Sequence, residues 1–309
     1  MKNKKCFLCK SSFSKHTIVI KVDNFKIFKC RKCNNAFTFP QPSVHRLGKL
    51  YTQKNYRHKS GARFNVLFEY IFNIFKYLKY LRIKNFTNKK DYILDFGCGD
   101  GMLLYFFKRN GNIVQGAEFN VSKNIIINKV KIPITNSDKI FNYKRKFNLI
   151  ILSQVLPHLK SPLILLSKLK SILLKDGTIY ISQPNIESLG FKLFKKNWFH
   201  LDIPRHLYHF DKNNFINCIK KNNFSLVKKS SFEFDHIFFG WLQSFLNIFL
   251  KKNLLFEYLS FKKKKIIIFE IVCIIAISIL IFPIALLFTL FESINLIKPS
   301  IIEYYFKKK

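Results

Sequence analysis

The sequence predicts an α/β protein built on a doubly wound sheet, with a small cysteine-bearing module ahead of it and an apolar helical tail behind. Three observations carry this. Continuous apolar runs of strand length alternate with helical stretches between residues 91 and 184. Four of the seven cysteines fall into two C-x-x-C pairs near the start of the chain. Residues 271–291 carry no charge at all. A chain of 309 residues, 49% of them hydrophobic, is long enough for one main domain and one or two small modules.

The first module spans residues 1–43. "CFLC" (Cys6, Cys9) and "CRKC" (Cys30, Cys33) each leave two residues between thiols, so one tight turn can aim both sulfurs at one ion. The β-rich stretch "HTIVIKVDNFKIFK" between them can fold as a hairpin that brings the pairs together. Four thiolates suit tetrahedral Zn²⁺, and a closed four-cysteine set leaves no open position, so the expected metal is structural. The competing reading is a duplicated redox motif. "MKNKKCFLCK" is charged where a secretory signal needs an apolar core, which points to a reducing cytosolic compartment.

Residues 44–90 read as a helical linker. "RFNVLFEYIFNIFKYLKYLRI" places apolar residues at helical spacing with Lys and Arg between them, as simple packing would require.

The main domain is expected over 91–260. Tyr92–Phe96 reads as a buried strand, "MLLYFFKRNG" as a helix ending at Gly111, and "NIVQGAEFN" as a strand ending at Glu118. "FNLIILSQ" (147–154) is a further buried strand. "PLILLSKLKSILLKDG" is a helix stopped by Gly177, and "TIYISQPN" a strand after it. In such sheets ligands bind outside the carboxyl ends of the strands, and "ILDFGCGDG" (93–101) lies at one. Glycine there permits positive φ and close approach to the backbone. Glu118, about twenty residues later at the end of the next strand, is placed to bind ribose hydroxyls. Together these point to an adenosine-containing cofactor. The spacing is G-x-G-x-G, not the G-x-G-x-x-G of dinucleotide sites, and Asp95 would repel a pyrophosphate but can engage a cationic amino group.

At this point the chain resembles the class I S-adenosylmethionine-dependent methyltransferases, whose D-x-G-C-G-x-G signature is matched by "DFGCGDG", Asp95 to Gly101. The resemblance implies a Rossmann-like methyltransferase sheet, with Asp95, Gly97, Gly99 and Gly101 lining the methionine moiety, Glu118 holding the ribose and Ser153 joining the cofactor site. It extends through residues 147–185, with two departures: Asn148 stands where the family usually has Asp, and Pro157 where it often has Glu before a His, here His158.

The cysteine head and "WFHLDIPRHLYHF" (198–210), within a substrate-side insertion near 186–212, make the chain similar to bacterial methyltransferases with zinc-ribbon heads found in envelope-glycan pathways. His206 is the first candidate for a general base, with His158, His200 and His209 behind it, and Arg205 could hold an anionic group.

The last segment, 261–309, reads as a hydrophobic tail contacting a membrane surface through 266–291. Lysines on both sides give no orientation, and Pro283 can kink the helix. The single span, the re-entrant hairpin and the buried helix pair all stay open. The +37 net charge is spread along every segment, as an A/T-rich codon bias would produce, and this argues against a nucleic-acid partner. The expected activity is methyl transfer from S-adenosylmethionine to an O or N atom of a small sugar or lipid-linked envelope-glycan intermediate. Its expected place is the cytoplasmic face of the cell membrane. The alternatives are a lipid or quinone methyltransferase and, in another class, a zinc-ribbon nucleic-acid binder or scaffold.

Overall fold

The computed structural model describes residues 6, 9, 11–12, 16–50, 66–119, 124–144, 146–260 and 267–309. The stretch "YTQKNYRH" (51–58) and the lysine run 262–265 lie outside the described residues. The chain opens with β1 (His16–Val22), β2 (Phe25–Cys30), β3 (Ala36–Phe39), α1 (Val44–Leu50) and α2 (Val66–Ile83). Then follow β4 (Tyr92–Phe96), α3 (Met102–Arg109), β5 (Ile113–Glu118), β6 (Ile125–Ile127), β7 (Val130–Ile132), β8 (Ile134–Asn136) and β9 (Phe147–Ser153). Next come α4 (Pro162–Ile172), β10 (Leu173–Pro184), α5 (Leu189–Phe194), β11 (Tyr208–His209), α6 (Lys212–Lys221) and β12 (Phe224–Ser230). The chain finishes with α7 (Phe234–Phe249), α8 (Leu254–Leu259), α9 (Ile268–Ser293) and β13 (Ile301–Lys308). These elements form two units. A sheet unit comprises residues 71–183, 216–230 and 303–309, and a head unit comprises 1–70, 184–215 and 231–302.

The sheet unit holds seven strands in the order β12-β13-β10-β9-β4-β5-β8. β4 runs parallel to β5 and β9, and β9 parallel to β10, as the alternating pattern predicts. Ile93, Leu149 and Ile151 are fully buried, which is why these strands read as unbroken apolar runs. Residues expected to be linker belong to this unit: Tyr80 and Ile83 of α2 are buried, and Tyr80 meets Phe107 edge-on with ring centroids 5.0 Å apart.

Two expectations are corrected here. The helix expected to run to Gly177 stops at Ile172, and "LLKDG" joins β10. The cause is tertiary: Lys308 Nζ donates to the carbonyls of Lys170 and Leu173, satisfying the helix end from another strand. Gly177 is used for close packing, since a Cβ there would stand 2.8 Å from Leu173 Cγ. The tail expected over 261–309 also divides. Its final residues form β13, antiparallel to β12 in the sheet, with Ser230 opposite Glu303 and Phe224 opposite Lys308. The Glu303 carboxylate is wholly buried and accepts from Arg82 Nη2 (3.0 Å), Tyr180 Oη (2.7 Å) and Ser230 Oγ (2.7 Å). A buried charge with three donors from three elements holds this strand in register.

The head unit contains a four-stranded sheet, β1-β2-β3-β11. β1 and β2 form the hairpin expected between the cysteine pairs, turning at Asp23 with φ +50°. β11, from the insertion, pairs with β3, placing Tyr208 opposite Phe37 and His209 opposite Ala36. The cysteine head is therefore continued by the insertion and does not end at residue 43. Trp198, Trp241, Ile27 and Leu201 are buried in the core of this unit. α7 packs against α9, where Trp241 stacks on Phe288 at 4.4 Å.

Candidate active site

The glycine loop leaves β4 at its carboxyl end and enters α3. Gly97, Gly99 and Gly101 all have positive φ (+82°, +60° and +75°), a region where a side chain is strained. A Cβ on Gly97 would also stand 2.6 Å from Val155 Cγ2. Across the loop, the Gly99 N–H donates to Glu118 Oε2 at 2.9 Å. Gly116 lets β5 pass close to the loop, since its Cβ would meet Cys98 Sγ at 2.7 Å and Ile134 Cδ1 at 2.4 Å. The structure thus brings Asp95, the three glycines and Glu118 to one edge of the sheet.

Asp95 is 4% exposed. Burial pushes its carboxyl up to about 7, the Lys79 charge pulls the other way, and Glu118 and Asp100 add to the rise. Lys79, on α2, is itself buried and donates from Nζ to Ser153 Oγ at 2.9 Å, and Ser153 Oγ lies 3.3 Å from Ser182 Oγ. Lys76 pairs with Asp100, whose Oδ1 accepts the Met102 N–H at the start of α3. Lys76 and Lys79 are the residues the sequence reading missed. Their i, i+3 spacing puts them on one helix face, the one available signal, but nothing in the sequence says that this face turns to the glycine loop. Asn148 Oδ1 accepts the Tyr92 N–H at 2.9 Å, a task an amide oxygen performs as well as a carboxylate.

His158 ends a short 3₁₀ turn, Leu156–His158, after β9 and is half-buried. The other histidines gather in the head unit. His206 Nδ1 lies 2.9 Å from the His200 carbonyl, so Nδ1 carries the proton in the neutral ring and Nε2 the lone pair; Asp202 Oδ2 is 3.9 Å from Nε2. Arg205, read as a holder of an anionic group, grips Asp202 Oδ1 through Nε (2.9 Å) and Nη2 (2.6 Å). Thr38 gives its one proton to the His206 carbonyl (2.7 Å), so His209 Nε2–H donates to Thr38 Oγ1 (3.0 Å). His200 lies against α7, with Nε2 2.1 Å from where a Gly240 Cβ would be. Burial holds His200 and His209 neutral, down to about 3.

The four head cysteines also converge, with all four Sγ atoms within 4.8 Å of one another. Sγ of Cys6 is 3.5 Å from that of Cys33, and Sγ of Cys9 is 3.5 Å from that of Cys30. The Cys33 thiol is held far above its ordinary value by its contact with Cys6 and by burial. Thiolates this crowded repel one another unless a cation lies between them, so the donor set fits a soft divalent ion.

A doubly wound sheet with a glycine cradle and an acidic residue at its carboxyl edge is the arrangement of enzymes built around an adenosine-type cofactor. A methyltransferase-domain family matches residues 69–229, more than half of the chain, and the chain belongs to that family. The protein is an S-adenosylmethionine-dependent methyltransferase. Among curated relatives, it is 27% identical over 183 residues to a ubiquinone biosynthesis O-methyltransferase of Pelagibacter ubique, an alignment spanning 55% of this chain and 75% of that protein. It is 28% identical over 117 residues to a tRNA U34 carboxymethyltransferase of Campylobacter fetus, spanning 34% of this chain and 41% of that one. Among solved structures, a SAM-dependent methyltransferase from Archaeoglobus fulgidus aligns with a TM-score of 0.42 at 20% identity, covering 75% of this chain and 94% of that one.

Proposed function

We propose that the enzyme transfers the methyl group of S-adenosylmethionine to an O or N atom of a membrane-borne acceptor, a sugar or lipid-linked envelope-glycan intermediate. The observation that carries the cofactor part is the Gly99–Glu118 hydrogen bond beside buried Asp95. In this reading Asp95 receives the cofactor's ammonium group, Gly97, Gly99 and Gly101 admit its methionine backbone, and Glu118 exchanges the Gly99 amide for ribose hydroxyls. Ser153, oriented by Lys79, completes the wall. The bound cofactor supplies an electrophilic methyl on a sulfonium. The protein's part is to hold acceptor and methyl in line and to take the proton the acceptor loses. His206 is the proposed base, through Nε2, with Asp202 stabilising the imidazolium; His158 is the second candidate.

Cys6, Cys9, Cys30 and Cys33 are proposed to hold a structural Zn²⁺. The exposed apolar side of α9 supports contact with a membrane surface, at the cytoplasmic face in this reading. A lipid or quinone acceptor is the second reading, favoured by the Pelagibacter relative.

The test is transfer of radiolabelled methyl from S-adenosylmethionine into fractionated acceptors. Label in lipid-linked or nucleotide-linked sugars supports the first reading, and label in quinone precursors the second. Transfer abolished by Asp95→Ala but retained by His206→Asn would keep the cofactor site and remove the proposed base.

A further inference from the structure

We propose that α9 is an in-plane anchor: it lies on one leaflet of an anionic bilayer and does not cross it. The inference rests on the membrane contact proposed above and fixes its geometry.

The chain leaves the sheet at Ser230, runs through α7, α8 and α9, and returns as β13 beside β12. Glu303, at the return, is bound by Ser230, Arg82 and Tyr180 of the same sheet. An excursion whose two ends pair in one sheet crosses a membrane an even number of times. Among the described residues α9 is the one helix long and apolar enough to cross. α7 has 16 residues, short of the roughly 20 a span needs. The even number is therefore zero.

The side chains agree. At about 100° per residue, Phe269, Val272, Ile275, Ile279, Phe282 and Leu290 fall in one arc, and all are exposed; Val272 is 56% and Ile279 68% exposed. Ile274, Ile281, Ala285 and Glu292 form the opposite, buried stripe. Both ends are tied to the head unit. Near the start, Tyr258 Oη donates to Glu270 Oε2 at 2.6 Å. Near the finish, Glu292 accepts from Trp241 Nε1 at 2.9 Å and from the Ser300 N–H and Oγ–H at 2.7 Å each. A helix of 26 residues, about 39 Å long, braced at both ends on one side and apolar on the other, presents its length to an interface.

Charge selects lipid as the occupant over a second copy of the chain. Lys298 is exposed just past the end of the helix, and the sequence places Lys262–Lys265 just ahead of it. A cationic rim around an apolar face matches acidic headgroups above acyl chains and would repel its own duplicate.

The test has two arms. In the first, the full-length protein is mixed with sealed phosphatidylcholine vesicles with and without 30% phosphatidylglycerol. The expected result is at least a tenfold preference for the anionic vesicles, lost in Val272→Asp/Ile279→Asp, which replaces exposed residues and keeps the thermal melt and S-adenosylmethionine affinity of the parent. In the second, epitope tags before Met1 and after Lys309 are probed with protease in spheroplasts and inverted membrane vesicles from expressing cells. Both tags should be protected in the first and cleaved in the second. Opposite accessibility of the tags would overturn the in-plane geometry while leaving membrane contact standing. No binding to either vesicle, with self-association abolished by the double variant, would overturn the membrane reading itself.

Discussion

The backbone N–H of Gly99 donates to Oε2 of Glu118 across 2.9 Å, joining the glycine loop of one strand to the acid at the end of the next. The bond ties the loop to the end of β5, and in the proposed reading the same carboxylate takes the ribose hydroxyls. Glu118→Ala removes both effects. The expected outcome is at least a tenfold weaker S-adenosylmethionine affinity by calorimetric titration, with the thermal midpoint little changed; parent-like affinity would refute the ribose assignment.

Gly97→Ala tests the loop itself. The substitution combines strain at φ +82° with a 2.6 Å clash against Val155. A loss of about 1–3 kcal/mol in stability is expected by denaturant titration, together with loss of cofactor binding. Gly48, inside α1 with nothing within 4 Å of its Cβ position, is the control, and Gly48→Ala should leave cofactor binding unchanged and raise stability by up to about 1 kcal/mol.

The role proposed for Asp95 would make cofactor binding pH-dependent. Its carboxyl is raised to about 7, chiefly by burial, and an ammonium partner requires the ionised form. Affinity should therefore be full above pH 7 and fall as pH drops below it, by up to about tenfold per unit. An Asp with an ordinary value would give a flat profile from pH 5 to 8. Lys79→Met removes the charge that favours ionised Asp95, so the midpoint should move to higher pH. An unmoved midpoint would mean that Lys79 acts only through packing.

The buried histidines make the stability of the head pH-dependent, also with a loss towards acid. His200 and His209 stay neutral to about pH 3 in the folded head, while an unfolded chain protonates them near 6.5. The unfolded state then binds more protons, so stability falls as pH drops below 6.5, by about 1.4 kcal/mol per unit for each histidine. Hydrogen exchange in β11 and α7 at pH 7.5 and 5.5 reads this directly. Equal protection at the two values would show that these histidines are not buried neutral.

Zinc is checked by composition and by removal. One zinc per chain is expected by atomic emission, falling to none in Cys6→Ser/Cys33→Ser. A strong chelator should abolish amide protection in the β1–β2 hairpin, because the proposed metal would be what holds the four converging thiolates together.

Much of the fold was legible in the sequence for a physical reason. β4 and β9 are buried on both faces, so their apolar character is continuous and needs no knowledge of neighbours. The glycine loop was legible because positive φ at 97, 99 and 101 restricts residue choice at single positions. Lys79 was not, because a lysine between Leu78 and Tyr80 looks the same whether it faces water or Ser153.

The sequence by itself determined the cofactor class, the order of the first strands and helices, and the convergence of the cysteine pairs, since each depends on local spacing or local backbone conformation. The tertiary structure alone decided where α4 stops, because its carbonyls are satisfied by Lys308 from a distant strand. It decided that the insertion strand β11 completes the cysteine head. It also decided the fate of the apolar tail. Twenty-one uncharged residues state only that water is unfavourable around them. The proposal that α9 stays on one side of a membrane rests on Glu303 and Ser230 meeting in one sheet, a pairing across 73 residues that no local pattern encodes.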